Sequence, residues 1–142
     1  MMEAAQGAPV ANVQSARDAQ LREAVARARR SPFYAQHLAG HEVKDLGRLS
    51  PEPCDYPAPA FKVAQAVARG EAERGVLVCG SGVGMSIAAN KVDGCRAALV
   101  TDAWLAEMAR RHNDANVLCV ASRLQAPETI ERIVDVFIAS PF

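Results

Sequence analysis

The chain has 142 residues, the length of one domain rather than two, and enough to bury a proper core without disulfides. Sixteen Lys and Arg offset sixteen Asp and Glu, so no broad field draws the protein to nucleic acid or to an anionic membrane, and any anion it binds needs a local site. Half the residues are apolar and 23% charged, which argues against disorder; 5% aromatics argue against a base-stacking surface; and no run of roughly 18 apolar residues is present to span a bilayer.

From the start, MMEAAQGAPV carries a Glu and no Lys or Arg ahead of an apolar stretch, unlike a secretory signal, and the expectation is a cytoplasmic protein. VANV at 10–13 is too short and polar to read as a buried central strand, and residues 16–38 read as a basic, Ala-rich helix broken by Ser31 and Pro32. The first forty residues therefore stand apart as an atypical helical segment, ahead of an α/β domain over 41–142. In that domain VKDL at 43–46 is a weak strand. Pro57 and Pro59 open a helix that carries Phe61, Val63, Ala64 and Val67 towards Arg69 and stops at Gly70. GVLVC at 75–79 is a continuous apolar strand of the kind buried on both faces, followed by a turn over 80–84 and a short helix, MSIAANK. RAALV at 96–100 is the next strand. Asp102 caps a helix running to His112, NVLCVAS at 116–122 is another strand, and 127–139 is a last helix with Ile130, Ile133, Val134, Phe137 and Ile138 inward. This alternation predicts a three-layer, Rossmann-like parallel sheet with helices on both faces and right-handed crossovers.

The four cysteines, Cys54, Cys79, Cys95 and Cys119, form no C-x-x-C pair, which speaks against a zinc ribbon or thioredoxin-type chemistry and for free thiols. The densest chemistry lies at Cys79-Gly80-Ser81-Gly82-Val83-Gly84. A buried strand that ends in alternating glycines and runs straight into a helix lets backbone N–H groups converge on an anion at the carboxyl end of the sheet. A tight packing turn would also use those glycines. So would a dinucleotide fingerprint, with Asp102 as its acidic residue, but its third glycine falls on Met85.

Residues 75–123, GVLVCGSGVGMSIAANK through RHNDANVLCVASR, resemble ribose-5-phosphate isomerase B and the related galactose-6-phosphate isomerases. HEVKDLG and CDYPAPAFKVAQAVARGEAERG extend the resemblance to about residues 41–140. It implies an aldose–ketose isomerase that interconverts ribose 5-phosphate and ribulose 5-phosphate in the pentose phosphate pathway, with no metal, no organic cofactor, and sites shared between the chains of a homodimer or homotetramer. Such a reaction passes through an enediolate and needs a base at the C1–C2 edge with donors for the oxyanion. By resemblance Cys79 is that base, Ser81 the hydroxyl beside it, and the amides of Gly80, Gly82 and Gly84 the anion hole. His112 suits ring opening, Asn113 a substrate hydroxyl, Arg123 the phosphate, and Asp55 and Tyr56 the cleft wall. Asn90 and Lys91 match the family in position only.

Family members carry an S-D-H-A-G turn after the first strand, and this sequence has no Asp-His pair; His37 and His41 cannot take that place. LREAVARARRSPFYAQHLAG instead resembles the leading segment of some adenylate-forming ligases. The family continues past a segment like FIASPF into a Gly- and Arg-rich tail, whereas this sequence stops at Phe142. The expectation is a 2-1-3-4-5 sheet whose first strand is missing or irregularly replaced by residues 8–14, and an isomerase with impaired phosphate grip. The alternatives are a noncatalytic partner subunit of the same fold and a nucleotide-binding module.

Overall fold

The computed structural model describes residues 7–14, 40–47 and 55–142, with the backbone alone along 7–14 and at Asp45. Five strands, β1 (Gly7–Gln14), β2 (His41–Asp45), β3 (Arg74–Cys79), β4 (Ala97–Leu99) and β5 (Val117–Ala121), pair in parallel in the order β2-β1-β3-β5-β4. The helices among the described residues are α1 (Pro57–Ala68), α2 (Val83–Ala89), α3 (Ala103–Asn113) and α4 (Pro127–Ala139).

Two expectations meet the structure here with different outcomes. The slot of the first strand is filled, by Gly7–Gln14, which pairs with β2 on one side and β3 on the other and carries an irregularity between Gly7 and Val10. The sheet thus takes a strand from the segment set apart before residue 41; the helix read over 16–38 lies outside the described residues. The order 2-1-3-4-5 is corrected to 2-1-3-5-4. All five residues of β5 are buried, whereas the three of β4 are half-buried, so the longer apolar run takes the inner place and Ala97–Leu99 the edge. Right-handed crossovers then fix the faces. The chain steps outward through α1 and α2 on one side of the sheet, and returns from β4 to β5 through α3 on the other.

The two faces of β3 read off this arrangement. Leu77 and Cys79 point towards α1 and α2, packing with Val63, Ala64, Met85, Ala89 and Cys119; Val76 and Val78 point towards α3 and α4, packing with Ala106, Leu118, Ile133 and Phe137. Ile138 is half-buried at the margin of that second layer. The helix starts follow local chemistry: Pro57 and Pro59 sit in the first turn of α1, and the Asp102 carboxylate accepts the Leu105 N–H at 2.9 Å at the start of α3.

Two arginines inside the second layer carry no signal in the sequence. Arg74 donates to the carbonyls of Phe137 at 2.6 Å, Ile138 at 2.9 Å and Ser140 at 3.1 Å, and so satisfies the end of α4. Arg110 reaches the Ser140 carbonyl at 3.3 Å, and the two guanidinium carbons lie 6.0 and 5.8 Å from the Phe137 ring centre. Burial, with the neighbouring Arg110 charge, lowers the Arg74 pKa. At the sheet edge, the Asn90 side chain accepts from the Ala97 N–H and donates to the Ala97 carbonyl, each at 2.8 Å.

Candidate active site

A parallel sheet gathers chemistry at the carboxyl ends of its strands, above all where the strand order reverses, which here lies between β1 and β3. Cys79 is the last residue of β3, 8% exposed. Its carbonyl accepts the Ser122 N–H at 2.9 Å, and the Gly80 carbonyl accepts the Arg123 N–H at 3.1 Å, so the turn after β3 is laced to the turn after β5.

Gly82 takes a left-handed conformation, φ 74° and ψ −20°, at the head of α2, and its N–H donates to the Cys79 Sγ at 3.0 Å. The sulfur is held in one place at the strand end by this backbone donor. The Gly82 amide is thus turned to the sulfur rather than left open for an oxyanion. In the first turn of α2, where amides have no carbonyl within the helix to reach, the Val83 N–H approaches the Ser81 Oγ at 3.4 Å, and Gly84 follows. Ser81 is exposed.

Two more of the sequence-derived residues close on this turn. The Tyr56 ring covers Gly84 so closely that a Cβ there would lie 2.7 Å from Cε2 and 2.8 Å from Cζ, and Tyr56 keeps 47% of its surface exposed. Asp55 precedes it, exposed. The Arg123 side chain lies over Gly80, where a Cβ would meet its Cδ and Nε at 3.2 Å. A thiol, a hydroxyl, a glycine turn, a phenol and a guanidinium therefore share one end of the sheet, a set suited to moving a proton on a small anionic substrate.

His112 and Asn113 are elsewhere. They are the last residues of α3, which runs from the carboxyl end of β4 back to the amino ends of β4 and β5, where Arg96 and Asp114 meet at 2.7 Å. A strand of six residues spans about 20 Å, and that length separates His112 from Cys79 within one chain. Both are exposed, and Asn113 lines a groove of about 470 Å³ with Asn90, Arg96, Leu99 and Met108. His41 opens β2, also at the amino end of the sheet.

The other cysteines behave as core residues. Burial pushes the Cys95 thiol up to about 11, and burial, reinforced by Cys79 and Cys95, raises Cys119 as well. Cys54 lies outside the described residues. Asn90 is a tie between α2 and β4, and Lys91 is exposed. Sequence reasoning missed Ser122, whose hydroxyl reaches the Cys79 carbonyl at 3.3 Å, and Gln125, which accepts the Ala121 N–H at 2.7 Å and donates to Val100 and Thr101 at 3.2 and 3.0 Å. Their only advance signal is the strand end just before them. Among the described residues no group of three or more His, Cys, Asp or Glu could hold a metal ion, and no helix is long and apolar enough to cross a membrane.

A doubly covered parallel sheet with a thiol set into a glycine turn at its inner strand end agrees with the ribose/galactose isomerase family model, which matches residues 12–142; the chain belongs to that family. It is 47% identical over 103 residues to ribose-5-phosphate isomerase B of Escherichia coli, covering 72% of this chain and 69% of that one. The type B ribose 5-phosphate isomerase of Trypanosoma brucei superposes with a TM-score of 0.86 at 43% identity, over 96% of this chain and 88% of that one. Ribose-5-phosphate isomerase B of Mycoplasma genitalium, solved with bound ribulose-5-phosphate, gives a TM-score of 0.81 at 34% identity, over 94% and 85%.

Proposed function

We propose that this protein is a sugar-phosphate isomerase that interconverts ribose 5-phosphate and ribulose 5-phosphate, without metal or organic cofactor, in cytoplasmic carbohydrate metabolism. The observation that carries the reading is the Cys79 thiol at the carboxyl end of β3 with the Gly82 N–H on its sulfur. In the open-chain aldose the Cys79 thiolate takes the C2 proton. The electron pair forms the C1–C2 double bond as the carbonyl oxygen becomes an oxyanion, met by the Gly80 and Gly84 amides. Ser81 relays the proton between O2 and O1, and Cys79 returns the first proton to C1, leaving the ketose carbonyl at C2. Asp55 and Tyr56 wall the cleft and Arg123 holds the phosphate.

His112, as the ring-opening acid–base, and Asn113, as a hydroxyl ligand, reach this site only from a second chain. The reading therefore requires a homodimer or higher homo-oligomer with shared sites. Exposed apolar side chains for such contacts are present at Val83, Ile87, Trp104 and Leu124. The absence of the Asp-His pair from the sequence after β1 supports a reduced rate, and it equally favours a second reading, a subunit that keeps the fold and depends on a different chain for turnover.

The test is a coupled assay of ribose 5-phosphate turnover on the purified protein. Cys79→Ala lowers the rate about 100-fold or more, the scale of a lost general base. Mixing inactive Cys79→Ala and His112→Ala chains restores part of the activity, because half of the mixed sites receive both residues. Wild-type rates in Cys79→Ala overturn the assignment of the base. Absence of rescue on mixing overturns the shared site, and turnover that appears only on adding a different subunit selects the second reading.

A further inference from the structure

We infer that Asp114 is a positioning residue, its carboxylate gripped between Arg96 and Arg110 so that the turn carrying His112 and Asn113 is presented in one fixed place; the inference rests on the roles proposed for those two residues. Asp114 ends α3 in the left-handed region, φ 46° and ψ 39°, the only non-glycine residue with positive φ among those described. Glycine makes such a helix stop without steric cost and aspartate is one of the few other residues that enter it, so what the aspartate adds over glycine is its side chain.

That side chain is fully used. Oδ1 accepts from Arg110 at 2.9 Å and Oδ2 from Arg96 at 2.7 Å, while the Asp114 carbonyl accepts the Arg96 Nε at 2.7 Å. Each arginine is anchored in turn. Arg110, 5% exposed, also donates to the Ala115 carbonyl at 2.6 Å and to Ser140. The Arg96 N–H donates to the Asn116 Oδ1 at 2.8 Å, and the Asn116 amide donates to the Gly94 carbonyl at 2.8 Å. The turn is thereby tied to the starts of β4 and β5 and to the end of α4. On this braced platform the His112 and Asn113 side chains make no hydrogen bond or ion pair with any described residue, and Asn113 and Arg96 line one groove. Two polar side chains held out from so rigid a mount are arranged for a ligand rather than for their own fold.

The chemistry supplies a readout that separates positioning from stability. Ribulose 5-phosphate has its C5 hydroxyl esterified and stays open-chain, so exchange of its C1 proton with solvent deuterium uses Cys79 and needs no ring opening. Ribose 5-phosphate is cyclic and does need it. In the full-length Asp114→Gly protein, which keeps the left-handed turn, ribose 5-phosphate turnover falls about 10-fold or more, as it does for a displaced catalytic group, while C1 exchange measured at saturating ribulose 5-phosphate, where a weakened Asn113 contact raises KM and not the rate, falls several-fold less. Asp114→Asn, which retains one acceptor oxygen, falls in between. Backbone amide order at 112 and 113 drops in Asp114→Gly from about 0.85 to below about 0.6 by relaxation, a measurement that needs no activity. Parallel loss of both rates with a lowered melting temperature, or unchanged turnover and unchanged order, overturns the inference. Unchanged turnover in His112→Ala instead overturns the role proposed for His112, whatever Asp114→Gly does.

Discussion

Substituting alanine for Gly82 tests the geometry of the turn that holds the thiol. Two penalties add. An L-residue at φ 74° costs about 1–2 kcal/mol in backbone strain. The new Cβ would also run into the Leu99 Cδ1 and lie 3.3 Å from the Val120 carbonyl carbon and oxygen, and overpacking of this kind costs about 1–3 kcal/mol. The sum, about 2–5 kcal/mol, lowers the melting temperature of a domain this size by roughly 5–20 °C. Leu99 is a side chain that can be removed, and the Val120 carbonyl is not. Hence in a Leu99→Ala background the cost of Gly82→Ala shrinks by about 1–2 kcal/mol, and the strain of the left-handed backbone remains. Urea denaturation of the four proteins of this cycle measures both quantities. A Gly82→Ala protein as stable as wild type, or a cost identical with and without Leu99, refutes the reasoning. Gly84→Ala supplies the contrast, because there the obstacle is the half-exposed Tyr56 ring, which can swing away, so stability changes by less than about 1 kcal/mol while substrate turnover falls.

Three further outcomes are expected. On the phosphate role proposed for Arg123, Arg123→Ala removes charge-assisted bonds worth about 1.5–3 kcal/mol, so kcat/KM for ribose 5-phosphate drops roughly 10- to 150-fold while the melting temperature of the protein barely moves; an unchanged kcat/KM excludes that role. Because the Cys95 thiol is raised in the folded state from 9.0 to about 11, it favours folding fully below pH 9 and loses that contribution as pH rises towards 11; the urea midpoint falls over this window, more shallowly in Cys95→Ala, and equal slopes count against the assignment. Ser15 supplies the first letter of S-D-H-A-G, so Ala16→Asp, Arg17→His, Asp18→Ala and Ala19→Gly together complete that sequence after Gln14; kcat/KM rises about 10-fold or more, and equal efficiency means the Asp-His pair was never limiting.

Where a residue's environment is set by its sequence neighbours, the fold was readable in advance. The unbroken apolar run to Cys79 announces a strand buried on both faces, and Asp102 followed by an apolar-periodic segment announces the start of α3. Gly7–Gln14 is legible only as one option, an irregular filling of the first-strand slot by residues 8–14, for the opposite reason. Its Pro9, Asn12 and Gln14 argue against a central strand, and it becomes one because β2 and β3 offer ladders on both sides. The same holds at the site. The glycine turn, Tyr56 and Arg123 converge as their motifs imply, but that the Gly82 amide turns to sulfur, or that Asp114 stands between two arginines, depends on φ values and on partners up to 18 residues away. The order of β4 and β5 is equally non-local, settled by which strand can fill a slot buried on both sides.

The Asn90 amide has a consequence for the β4 edge of the sheet. By offering the Ala97 backbone one acceptor and one donor, it imitates the next strand of the sheet with a single side chain. Edges of β-sheets invite sticking and fibre growth, and proteins usually blunt them with charge or a bulge. At this edge the outermost strand is three residues long and its leading residue is already paired, so an incoming chain finds almost no ladder to extend beside β4. Any contact made on this side of the sheet is thereby left to side chains rather than to backbone pairing, and it can form and part without unravelling the sheet.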